Sequence, residues 1–214
     1  MPLKTPAGKI AQISACLPRK CGLPLKQSPK GMMMMTNAYL IHGTSTRDDD
    51  WFPWLEEAAD PQIQLNRLWL PAPFNPERQA WDQAVDDQIP VQDGLTLVAH
   101  SLGCLTAVRF VARHDLHDVR LLLVGAFDRP LPQYPTLTDF ILPRPDYTQV
   151  RPKVSRATVI VAKDDPIAPY RQGIAMASDL EAKLIVQETG GHFLTSDGFR
   201  KFPLALTELD RLSK

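Results

Sequence analysis

Apolar positions along the chain switch repeatedly between two periods. Short runs that are apolar throughout alternate with stretches in which apolar residues recur every three or four positions. The runs predict strands over residues 37–42, 65–70, 95–99, 119–126, 157–162 and 183–186. Between them, Trp51, Trp54, Leu55 and Ala58 fall at helical spacing. Pro76 opens a second helical stretch reaching about Gln88, with Trp81 and Val85 on one face. Residues 103–113, with Leu105, Val108 and Ala112 facing inward, residues 169–180, and Pro203–Leu212, with Leu206, Leu209 and Leu212, complete the set.

Strands apolar on both faces and separated by helices imply a mostly parallel sheet covered on both sides. The expected architecture is α/β, a three-layer α/β/α sandwich of about six strands. In such sheets ligands bind beyond the carboxyl ends of the strands. Reactive residues should therefore follow strands directly. Residues 128–151 are proline-rich (Pro130, Pro132, Pro135, Pro143, Pro145). No long helix can run through them, and they are expected to cross the sheet edge as an irregular excursion able to serve as a small lid.

Composition narrows the picture. A length of 214 residues suits one α/β domain, here residues 36–214. Lys+Arg and Asp+Glu balance at 24 each, so nothing global points to nucleic acid. The charge is unevenly spread. Residues 1–47 hold no acidic side chain, and Lys4, Lys9, Arg19, Lys20, Lys26 and Lys30 make residues 1–35 a basic extension, expected to lie outside the fold. An upstream extension before Met32–Met35 and an organelle transit peptide both fit it. No run of 18 apolar residues exists to span a membrane. Three cysteines, Cys16, Cys21 and Cys104, imply no disulfide framework, and a reducing cytoplasm is the expected compartment. A monomer is the expected state.

The chemistry gathers after the strands. Ala99-His100-Ser101-Leu102-Gly103 follows one strand and opens a helix. It resembles the G-x-S-x-G nucleophile elbow, with Ala at the first glycine position. The tight strand-to-helix turn needs small neighbours around the serine. His192 follows the last strand in Gly190-Gly191-His192-Phe193. Asp164 and Asp165 follow the strand ending at Ala162, and either could orient a histidine. The order Ser…Asp…His is that of α/β-hydrolases. His42-Gly43-Thr44 ends the first strand. Asp48–Asp50 reads as a solvated helix start. Trp51, Trp54 and Phe193 read as the lining of an acyl pocket, with core anchoring of their helix the alternative for the two tryptophans. No G-x-G-x-x-G or P-loop is present. A metal site from His42, His100 and His192 lacks a carboxylate or cysteine cluster at ligand spacing.

These pieces together resemble the retinoblastoma-binding-protein-nine-like serine hydrolases, a family of small α/β-hydrolases. The resemblance rests on Ile41-His42-Gly43, residues 50–55 (DWFPWL), Pro76 with Trp81, His100-Ser101-Leu102-Gly103, Asp164-Asp165-Pro166 and Gly191-His192-Phe193. It covers residues 37 to 214 and leaves the basic extension out. It implies a minimal hydrolase sheet lacking the first two strands of larger relatives, with no metal or organic cofactor. The D-P-x-x-P setting favours Asp165 over Asp164 as the acid. The resemblance further implies Ser101 as nucleophile, His192 as base, and the backbone N–H groups of Thr44 and Leu102 as an oxyanion hole. Small acyl esters are the implied substrates, with amide cleavage a lesser expectation. The alternative is a protein-interaction module on a hydrolase scaffold.

Overall fold

The computed structural model describes residues 35–214 together with Met1. The basic extension thus lies, but for its two ends, outside the described residues. The described elements run β1 (Thr36–Ile41), α1 (Phe52–Ala58), β2 (Ile63–Arg67), α2 (Arg78–Gln88), β3 (Thr96–His100), α3 (Leu102–Arg113), β4 (Val119–Val124), α4 (Thr138–Ile141), α5 (Tyr147–Val150), β5 (Val154–Ala162), α6 (Tyr170–Asp179), β6 (Lys183–Gln187) and α7 (Pro203–Leu212). The six strands form one parallel sheet in the order β2-β1-β3-β4-β5-β6.

Strand alternation explains the three layers. Tyr39, Ile41, Leu97, Ala99, Leu121, Leu123, Val159 and Val161 point into one core, shared with α2, α3 and α6. Their neighbours Ala38, Leu40, Val98, Leu122, Val124, Ile160 and Ala162 point into the other, shared with α1 and α7. Because successive side chains face opposite ways, a strand apolar at every position demands cover on both faces. This is why the runs carry no polar alternation.

Two expectations change. The second strand was expected over residues 65–70, but its pairing with β1 covers Ile63–Arg67. Leu68 still donates its N–H to the Leu40 carbonyl at 2.9 Å just past the last pair, and Leu68 and Leu70 are buried in the same core as α2. Burial, rather than strand pairing, explains their apolar character. Helix α3 is buried from Leu102 to Val111, not along one stripe. It packs on β3 and β1 while α2 and α5 cover its other side.

The chain runs from β1 outward to β2 and returns to β3 on the far side of β1. The gap between the carboxyl ends of β1 and β3 is therefore a topological switch point, where this class of sheet opens a crevice.

Candidate active site

Ser101 stands at that crevice, one residue beyond β3 and at the start of α3. Its backbone adopts φ 56° and ψ −126°. Such a conformation is strained for a side-chain-bearing residue, at about 1–3 kcal/mol. It is held by the Ser101 N–H donating to the Val124 carbonyl at 2.9 Å. In this turn Oγ makes no cap bond to its own helix and faces His192 instead. Close packing dictates the neighbours. A Cβ on Gly103 would lie 2.4 Å from the Ile41 carbonyl oxygen, and one on Gly43 would lie 2.6 Å from Ser101 Cβ. Ala99, at the first glycine position, is fully buried in the α3-side core. Beneath the elbow, the Cys104 thiol donates to the carbonyls of Ala99 and Val124. Burial pushes its pKa far up, which leaves it unreactive.

His192 lies on the segment between β6 and α7, and carboxylates fasten that segment by its main chain. Asp164 Oδ1 accepts from the N–H groups of Gly190 and Gly191 at 2.9 and 3.0 Å. Asp197 Oδ2 accepts from those of His192 and Leu194 at 2.9 and 3.1 Å. Asp50 Oδ1 accepts from Thr195 at 2.6 Å. From the core side, His100 Nε2–H donates to the His192 carbonyl at 2.8 Å and Trp51 Nε1–H to the Phe193 carbonyl at 3.2 Å. Burial drives the His100 pKa down to about 3, so the ring is neutral and adds no charge beside His192.

The His192 ring lies between the acid and the serine. Its Nδ1–H donates to Asp165 Oδ2 at 2.7 Å, and its Nε2 lies 2.8 Å from Ser101 Oγ. A carboxylate accepts only, so the proton sits on Nδ1 and the Nε2 lone pair faces the serine hydroxyl. The His192 and Asp165 side chains are 3% and 2% exposed. Asp165 Oδ1 in turn accepts from the N–H groups of Ile167 and Ala168 at 2.8 and 2.9 Å. The acid therefore braces its own turn while facing the histidine.

His192 is thus within hydrogen-bond reach of both other members of the Ser-His-Asp reading. Asp164, the neighbouring alternative, points instead to the main chain of the His192 segment. Asp50 is no helix start: Trp51 occupies the position before α1, and the Asp50 carboxylate reaches the distant Thr195. Trp51 and Phe193 are fully buried in the α1 and α7 core, and Trp54 packs against it. Core anchoring therefore fits the tryptophans, and it replaces the pocket reading for Phe193. His42 is buried, with Nδ1–H on the Gly43 carbonyl at 2.9 Å, and burial lowers its pKa. The three histidines of the metal alternative are thus each engaged elsewhere. Among the described residues no group of three or more His, Cys, Asp or Glu side chains is arranged to hold a metal ion.

Thr44 and Leu102 border a cavity of about 270 Å³ beside Ser101. No acceptor for either N–H is found among the described residues. Leu102 N–H heads α3, where the helix dipole favours negative charge. The rest of the wall was not identified from sequence: Phe74, Phe127, Leu131, Tyr134, Thr136, Leu137 and Ile167. A signal existed, since these residues lie on the connections that follow β2, β4 and β5 at the reactive edge.

Comparisons with known proteins agree with this geometry. The family described as "Serine hydrolase" matches residues 38–211. The chain is 32% identical over 177 residues to YdeN of Bacillus subtilis (strain 168), a hydrolase by name, across 80% of this chain and 93% of that protein. It is 22% identical over 172 residues to the serine hydrolase RBBP9 of Rattus norvegicus, across 78% of this chain and 91% of that one. The crystal structure of the B. subtilis ydeN product superposes with a TM-score of 0.79 at 30% identity, covering 83% of this chain and 98% of the other. With the parallel sheet and the elbow, these matches settle kinship: the chain belongs to the serine hydrolase family, among the small α/β-hydrolases related to YdeN and RBBP9.

Proposed function

We propose that the protein hydrolyses carboxylic esters through an acyl-enzyme, with Ser101 as nucleophile, His192 as general base and acid, and Asp165 as orienting carboxylate. The observation that carries the reading is the unbroken chain of 2.7 and 2.8 Å contacts from Asp165 through His192 to Ser101.

Ser101 Oγ attacks the ester carbonyl as His192 Nε2 takes its proton. Asp165 stabilises the imidazolium and keeps the ring in the productive tautomer. The N–H groups of Thr44 and Leu102 receive the developing oxyanion, and each such donor is worth about 10²–10³ in rate. His192 then protonates the departing alcohol, and a water molecule, activated by the same ring, releases the acid.

A short-chain fluorophosphonate tests the reading, because only an activated serine reacts with it. A single adduct found by intact-protein mass, and its absence in Ser101→Ala, is the expected result. A folded wild type that forms no adduct would return the interaction-module alternative.

A further inference from the structure

The cavity at Ser101 is lined by apolar and neutral polar side chains. Phe74, Phe127, Leu131, Tyr134, Leu137 and Ile167 form most of its wall. Its polar contributions come from Thr44, Ser101 and Thr136, and no lining residue carries a charge. A neighbouring groove shares only Thr44 and Phe74 with it, and there Asp48, Asp49, Asp50 and Arg200 are collected. Of the two spaces that meet at Thr44 and Phe74, only the groove is lined by charged side chains.

We infer that the cavity is an acyl pocket selecting uncharged, apolar acyl groups of intermediate length. The inference rests on the ester-hydrolase reading above and specifies its substrate class. Stereochemistry assigns the occupant. The acyl carbon is the atom that bonds to Ser101 Oγ, and Ser101 and Leu102 are themselves part of the cavity wall. The departing alcohol takes its proton from His192 Nε2, so it leaves toward the His192 segment. That segment borders the charged groove through Leu194, Thr195 and Ser196. The acyl substituent is left with the apolar side.

Size and charge set the selectivity. At about 270 Å³ the cavity lies just below the usual range of small-molecule pockets. Beyond it, Phe74 and Tyr134 are 76% and 39% exposed, unusual for large apolar side chains, and carry the apolar wall outward to solvent. An alkyl chain gains by filling the cavity and gains little once its end has passed these rings. A carboxylate on the acyl group would lose its hydration with no cation to replace it.

The test is kcat/KM for p-nitrophenyl acetate, butyrate, hexanoate and laurate, with the succinate half-ester as charged probe. Wild type should gain about two- to fourfold per methylene from acetate to hexanoate and level off or fall at laurate. The succinyl ester should be about 100-fold poorer than the butyryl ester. Thr136 is exposed on the cavity rim, so Thr136→Lys does not disturb the core. It should raise the succinyl-to-butyryl ratio about tenfold or more. Fluorophosphonate labelling runs alongside and does not depend on acyl preference. A Ser101 adduct with a flat chain-length profile, with preference for the succinyl ester, or with a ratio unmoved by Thr136→Lys overturns the inference and leaves the hydrolase reading standing. No adduct removes both.

Discussion

Two segments leave the reactive edge of the sheet from β4 and from β6, and they are held by different means. The segment between β6 and α7, which carries His192, is held by its main chain. Carboxylates of Asp50, Asp164 and Asp197 take its N–H groups, while His100 and Trp51 donate to its carbonyls. The excursion between β4 and β5, which walls the cavity, is also tied at its main chain, where Gln172, Arg109 and Arg78 reach the Arg129 N–H and the Phe140 and Leu142 carbonyls, but it centres on a buried carboxylate of its own. Asp128, fully buried, accepts from Arg144 Nε and Nη2 at 2.9 and 2.6 Å and from the Tyr147 hydroxyl at 2.8 Å. The difference follows from what each segment must do. A ring that passes a proton must be placed to a fraction of an ångström, and main-chain bonds from both sides fix it there. A pocket wall needs only shape, and side chains gathered around one buried carboxylate supply it.

The sharpest way to break this comparison is at the acid pair. Asp165→Asn should lower kcat about 10⁴-fold, because an amide favours the wrong imidazole tautomer. Its fold should survive. A loss of less than about tenfold, by steady-state ester turnover, would move the acid elsewhere. On the excursion, Asp128→Ala should cost about 3 kcal/mol of stability by leaving Arg144 and Tyr147 without their shared acceptor. Denaturant unfolding reads that loss. The acyl preference should shift more than fluorophosphonate labelling of Ser101, and the reverse outcome would show that the excursion also positions the chemistry.

Asp164→Ala probes the main-chain ties. It removes the acceptor of two N–H bonds and should cost about 2 kcal/mol of stability. It should also lower kcat about tenfold with little change in KM, since His192 becomes less well placed. A change confined to KM would count against this positioning role.

At neutral pH the least visible effect is that of acid, because it develops only as the pH falls. Burial holds His100 at about 3 in the folded chain against its ordinary 6.5. The unfolded chain therefore takes up this proton first as the pH falls. Stability is full above pH about 6.5 and declines towards pH 3, at about 1.4 kcal/mol per unit. His42, lowered by burial in the same direction, adds to the decline. His100→Gln, whose amide can still donate to the His192 carbonyl, should lose less stability than wild type between pH 6.5 and 5. Equal losses in thermal unfolding would show that His100 is not the group responsible.

Much of this was legible in order and little of it in contact. Continuous apolar runs announced a sheet buried on both faces, and each catalytic candidate followed its own strand. The strand ending near Ala162 placed Asp164 and Asp165 together, but one residue of difference turns one carboxylate to the histidine ring and the other to a glycine amide. The pattern that drew the second strand through Leu70 recorded burial beyond the last strand pair. The Asp48–Asp50 run looked like a helix start because local sequence holds no sign of Thr195, far along the chain. Trp51 and Trp54 kept two readings open, since an apolar ring serves a core or a pocket equally well until its neighbours are known.

By itself the sequence determined the parallel α/β sheet, the position of the elbow and the order of Ser101, the Asp164-Asp165 pair and His192. These depend on local periodicity, on the small residues a tight turn requires, and on side-chain chemistry, all of which act over a few residues. Only the tertiary structure decided which of two adjacent aspartates meets His192, that Asp50 and His100 hold the His192 segment, and that Phe74, Phe127 and Leu137 surround one cavity. Those outcomes depend on how strands distant in sequence come to lie side by side, and on the direction in which each turn leaves its strand. Hydrogen bonding and burial across the sheet edge set both.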